Sequence, residues 1–121
     1  MYRNQKGFTL IEIIAVLVIL GILAAVAVPK YMRVQSDARN KATAAAVAEG
    51  ISRVNNAAAQ YILSNGITPN ASSVIALIST DAGDFKLTYG NGTTVVSITG
   101  SATSGAALGG STTGSAKLPT T

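Results

Sequence analysis

From Ile13 to Val28 the chain carries no charged and no hydrogen-bonding side chain, and Gly21 is the only residue there without a side chain. Extended back to Phe8, the apolar span is about 30 Å long as a helix, enough to cross the hydrocarbon core of a bilayer. One acid, Glu12, stands near its start. An ionised carboxylate in hydrocarbon costs roughly 2.5–3.5 kcal/mol even on lenient scales, so such residues tend to be paired and functional. No other charge lies inside the run, and Glu12 is therefore expected to find its partner outside its own helix. An amine freed at Phe8 of a neighbouring copy would serve.

The residues before the run look like a processing segment rather than structure: Met1 to Gly7 hold two cations, Arg3 and Lys6, and end in glycine. An ordinary secretory signal is the rival reading, with Ala25-Val26-Ala27 as its cleavage site and a secreted binding protein as its product. Glu12 is a poor residue for the start of such a signal, and that reading leaves Gly7-Phe8 unexplained.

Gly7-Phe8-Thr9-Leu10-Ile11-Glu12, running into the apolar span, resembles the class III prepilin-type N-terminus of the type IV pilin and type II secretion pseudopilin superfamily. The resemblance implies a leader over residues 1–7, cut between Gly7 and Phe8 by a prepilin peptidase and methyltransferase, with Phe8 then N-methylated. It implies pairing of Glu12 with the Phe8 amine of a neighbour during assembly. It also makes Gly21 and Pro29 weak points of the helix, where the segment between them melts in the filament. The implied function is a structural subunit of a type IV pilus, drawn from the bacterial inner membrane by an assembly platform into an extracellular homopolymer that serves adhesion, motility or DNA uptake. A pseudopilin of a type II secretion system is the alternative within the superfamily.

Local charge does not fix orientation, because Lys30, Arg33, Arg39 and Lys41 follow the span as Arg3 and Lys6 precede it. The resemblance implies a cytoplasmic N-terminus. The formal net charge is +4, and loss of Arg3 and Lys6 leaves seven cations against five acids. That excess is too mild to argue for nucleic acid as a partner.

Pro29 interrupts the regular helix pattern, at a cost of about 3 kcal/mol for the missing N–H and the ring clash with the Ala25 carbonyl. Beyond it, an Ala-rich stretch with Val47, Ile51, Val54, Ala58 and Tyr61 on one face predicts an amphipathic helix to about Ser64, stopped by Asn65-Gly66. Ile67 to Asn70 is expected as a turn. Ser72 or Ser73 is expected to cap a short helix through Val74–Ile78, for which a strand is the other option. Asp81 to Asp84 is expected as a loop. Its two acids are too few for calcium, which needs six or more oxygen ligands.

Phe85 to Tyr89 alternates as a half-buried strand, Gly90-Asn91-Gly92 supplies a turn, and Thr93 to Thr99 forms the second arm of a hairpin. From Gly100 onward the Gly, Ser, Thr and Ala composition predicts a flexible tail, with one short strand near Ala106. Full-sized pilins have a four-stranded sheet, so the resemblance makes this one abbreviated.

The expected fold is α+β. Residues 1–7 form the leader, 8–29 a transmembrane and assembly helix, 30–99 a small head in which the rear helix packs on the hairpin, and 100–121 a low-complexity tail. Histidine and cysteine are absent, so nucleophile–base pairs, zinc sites and disulfides are unavailable. No phosphate loop follows a strand. No catalytic residue, cofactor or metal is expected, and the chain is not read as an enzyme.

Overall fold

The computed structural model describes residues 7–103 and 110–120. Helix α1 spans Leu10–Asn65 and includes Pro29. A short helix α2 (Ala71–Ile75) follows, then strands β1 (Asp81–Ala82), β2 (Phe85–Asn91), β3 (Val95–Ala102) and β4 (Ser111–Lys117). The strands form one antiparallel sheet in the order β1-β2-β3-β4. The chain divides into two units, the first ending at Ser36 and the second beginning at Asp37.

Within the second unit, α1 buries Thr43, Ala46, Val47, Gly50, Val54, Ala57 and Ala58, a stripe of i, i+3 and i+4 steps. Ile51 packs beside it, half-buried, and Tyr61 is half-buried too. The stripe expected from Val47, Ile51, Val54, Ala58 and Tyr61 is present, but small residues do most of the facing. Their size lets helix and sheet interlock. A Cβ placed on Gly50 would lie 2.8 Å from Ile98 Cγ2 and 3.3 Å from Leu87 Cδ1, so those sheet side chains fill the hollow that glycine leaves in the helix. In return Val47 projects into a hollow between Gly100 of β3 and Gly114 of β4, where added Cβ atoms would lie 3.0 and 2.6 Å from its methyls. Leu87, Val96, Ile98, Ala116 and Leu118 complete the core with Ala71 and Val74 of α2.

Four local expectations need correction. Asn70, not Ser72 or Ser73, caps α2, because its side chain accepts the Ser73 N–H at 2.8 Å, and the helix stops at Ile75. Asp81 to Asp84 is not a plain loop. Gly83, at φ 71°, turns the chain so that Asp81 pairs with Lys86 and Ala82 with Phe85. The turn between β2 and β3 falls after Asn91, which is itself paired with Val96.

The largest departure is the stretch expected as a flexible tail. Strand β3 runs on to Ala102, and Ser111–Lys117 adds a fourth strand in register with it, from Val95↔Lys117 to Ser101↔Ser111. The sheet is four-stranded rather than abbreviated. Thr112 donates a hydroxyl hydrogen bond to the buried Thr43 at 3.0 Å, and the Leu118 N–H reaches the Thr94 carbonyl at 2.8 Å. Neither contact is visible in composition. The strand expected near Ala106 lies outside the described residues.

Arg53 ties the helix to Ser79 and to the first residue of β1. One guanidinium nitrogen donates to the carbonyls of Ser79 (3.1 Å) and Asp81 (2.7 Å), while Nε donates to Glu49 at 3.1 Å. That hydrogen bond to the Glu49 carboxylate pushes the guanidinium further up from its usual range. The outward face of the sheet is hydroxyl-rich: Thr88, Thr99 and Thr113 stand side by side on successive strands, with the Thr99 and Thr113 hydroxyls 3.2 Å apart.

Candidate functional site: the front of the long helix

Among the described residues, the first unit presents a helix whose apolar side chains are exposed. Ile11, Leu17, Ile22, Leu23 and Val26 are each 60% exposed or more, and the span passes for a membrane-crossing helix by length and composition. Contiguous apolar surface on this scale marks a surface for lipid or for protein partners. The helix runs unbroken through Gly21 and Pro29. A side chain at Gly21 would meet nothing within 4 Å, so no close packing in this structure requires glycine there.

At the tip, Gly7, Phe8 and Thr9 are not helical, and Phe8 is 85% exposed. Thr9 and Glu12 explain why the helix starts where it does. The Glu12 carboxylate accepts the Thr9 N–H at 2.8 Å, and the Thr9 hydroxyl accepts the Glu12 N–H at 3.4 Å. The Thr9 carbonyl takes the first backbone bonds of the helix, from Glu12 and Ile13. This is the reciprocal capping box of Thr-x-x-Glu. Within its own helix the Glu12 carboxylate therefore has a neutral donor, and the charged partner expected from a neighbouring copy would be a second one. Thr9 is the capping residue that the sequence reading missed, and the T-x-x-E spacing ahead of an apolar run is the signal for it.

The Gly7–Phe8 peptide bond lies outside the helix, in exposed non-helical backbone. Gly7 has open space around it, with nothing within 4 Å of an added Cβ. Phe8 and Glu12, both expected to act in assembly, stand at the same end of the helix. Among the described residues, no three Asp or Glu side chains gather as metal ligands.

Residues 2–28 match the family model described as a prokaryotic N-terminal methylation motif. Over that segment the chain is similar to the type IV pilin and pseudopilin superfamily. It is 40% identical over 95 residues to the type IV major pilin protein PilE1 of Neisseria gonorrhoeae, a match covering 78% of this chain and 42% of that one. It is 44% identical over 82 residues to a fimbrial protein of Neisseria meningitidis serogroup A, covering 67% of this chain and 46% of the other. A shorter match, 70% identical over 30 residues, joins it to the type II secretion system core protein G of Pseudomonas aeruginosa, covering 25% of this chain and 21% of that protein. The chain spans about half the length of the curated pilins it matches. No solved structure gives a significant match.

Proposed function

We propose that this chain is the structural subunit of a type IV pilus, made as a precursor in the bacterial inner membrane and polymerised into an extracellular filament. The observation that carries the reading is the exposed apolar helix with an acid locked at its tip beside an accessible Gly7–Phe8 bond. A prepilin peptidase and methyltransferase would cut that bond and methylate the Phe8 amine. The new cationic N-terminus then competes with the Thr9 N–H for the Glu12 carboxylate of a neighbouring subunit. A charged donor makes the stronger hydrogen bond, which favours exchange of the internal partner for the external one.

Extraction from lipid exposes the helix to other copies of itself, which are equally apolar, so little hydrophobic energy is lost. Head-to-tail contacts that do not close give an open helical filament. The weak points Gly21 and Pro29 fit a segment that unwinds during packing. Low amide protection between them in filaments would support this, and full protection there would count against it.

The deciding experiment is Glu12→Ala in a cell that makes these filaments. Membrane insertion should persist while sheared filament yield drops to a few per cent or less. Wild-type yield would remove Glu12 from the assembly mechanism, and a mature N-terminus at Val28 in place of methylated Phe8 would reject the whole reading. The pseudopilin alternative is favoured by the 70% identical stretch shared with the secretion protein. A strain lacking this chain then loses secreted enzymes rather than surface filaments.

A further inference from the structure

We infer that Lys30 and Arg33 form a binding site for the phosphate of an anionic phospholipid at the far end of the apolar span. The inference rests on the membrane-spanning reading of that helix. Both cations follow the span directly, and they lie three residues apart on α1, hence on one face and about 4.5 Å apart along the axis. A Lys point charge and an Arg fork at that separation can share one phosphate. Among the described residues the one ion pair is Arg53 with Glu49, so neither cation is neutralised within the subunit. Asp37, the nearest acid along the sequence, stands four residues beyond Arg33, a helical spacing that offsets part of the Arg33 charge and leaves Lys30 the stronger attractor.

The residues between and around them have the composition of a membrane–water boundary. Tyr31 is 70% exposed, Met32 64% and Val34 59%, which places one aromatic and two apolar side chains among the cations with nothing covering them. Tyrosine settles at headgroup depth, and long cationic side chains lie along acyl chains with their charged ends in the headgroups. With Phe8 to Val28 filling the hydrocarbon, Lys30 falls at the depth of the far leaflet's phosphates. The pair also works against topology, because cations on both flanks blunt the positive-inside bias. Anionic headgroups in the far leaflet offset that penalty. A bound lipid would fix the depth of the resting subunit, and it must be released when the subunit leaves the bilayer.

The test uses the full uncleaved chain in vesicles of mixed phosphatidylcholine and phosphatidylglycerol, with spin-labelled forms of each lipid reporting immobilisation beside the protein. Each cation near an anionic surface contributes roughly fivefold in association. The native chain should therefore prefer phosphatidylglycerol several-fold more than K30Q/R33Q does, and the difference should vanish in about 1 M salt, where the screening length is about 3 Å. Arg3 and Lys6 contribute their own attraction, so the readout is the difference between native and variant chains. K86Q, which removes an exposed lysine of the sheet, should match the native chain. Immobilised lipid with equal selectivity in native and K30Q/R33Q chains overturns the site. Unchanged selectivity together with lost self-association would assign the pair to a second copy and overturn it equally. No immobilised lipid of either kind would reject the membrane-spanning reading itself.

Discussion

The front and rear of helix α1 invert the usual relation between bulk and burial. The front, Leu10 to Ser36, is built from Ile, Leu and Val and leaves them in the open. The rear, Asp37 to Asn65, is rich in Ala, and the residues it buries, Thr43, Ala46, Val47, Gly50, Val54, Ala57 and Ala58, are mostly small. Small residues let a sheet approach closely enough for Leu87 and Ile98 to fill the hollow at Gly50, whereas bulky branched residues hold any neighbour at a distance unless it is shaped to fit. The rear is finished within one subunit. The front leaves its apolar side chains exposed, and the proposed membrane and filament states are what would cover them.

The largest expected effect separates the two regions directly. Ile98→Ala deletes a fully buried side chain and should cost about 2–5 kcal/mol of head stability, read as a lower urea midpoint in detergent. Leu17→Ala, at a position 61% exposed, should move that midpoint by less than about 0.5 kcal/mol while weakening filaments. Equal effects of the two would erase the distinction. Glycine sharpens it. Gly114→Ala places a Cβ 2.6 Å from Val47 and should destabilise the head by about 1–3 kcal/mol through overpacking. Gly21→Ala meets no neighbour and should stabilise the helix by about 1 kcal/mol, seen as slower amide exchange near that residue. Thr9→Ala removes the cap hydroxyl and should cost about 1 kcal/mol locally, with faster exchange at Glu12 and Ile13, and Thr9→Ser should restore most of it.

The smallest effect belongs to Tyr89. Burial raises its phenol above the usual value, the neighbouring Arg53 lowering it only in part. The folded state therefore favours the neutral phenol. Its contribution to stability is complete below about pH 10 and is lost as pH rises through the higher folded value. Unfolding midpoints followed from pH 8 to 11 should fall more in the native chain than in Tyr89→Phe.

What the sequence made legible follows from how many residues carry each signal. The front helix is announced by an unbroken apolar run, and the rear one by a stripe from Val47 through Ala58. The β2–β3 hairpin is announced by alternation around a glycine-rich turn. Strand β4 has no such mark. Ser111-Thr112-Thr113-Gly114-Ser115-Ala116-Lys117 reads as linker, and it is a strand because β3 pairs with it, Val47 fits against Gly114 and Thr112 bonds to Thr43. Val47 and Thr43 are distant in sequence, so local propensity carries no trace of them. Thr9 is the opposite case: its T-x-x-E spacing is a local signal in plain view, and Glu12 serves there as a cap as well as a charge.

The alternation of the sheet has one more consequence. Thr88, Ser97, Thr99, Thr113 and Ser115 point away from the helix, while every residue that grips Val47 or Gly50 points toward it. Outward positions can therefore be rewritten, in charge, size or attached groups, without disturbing the joint beneath. A subunit built this way can change its coat while keeping its frame.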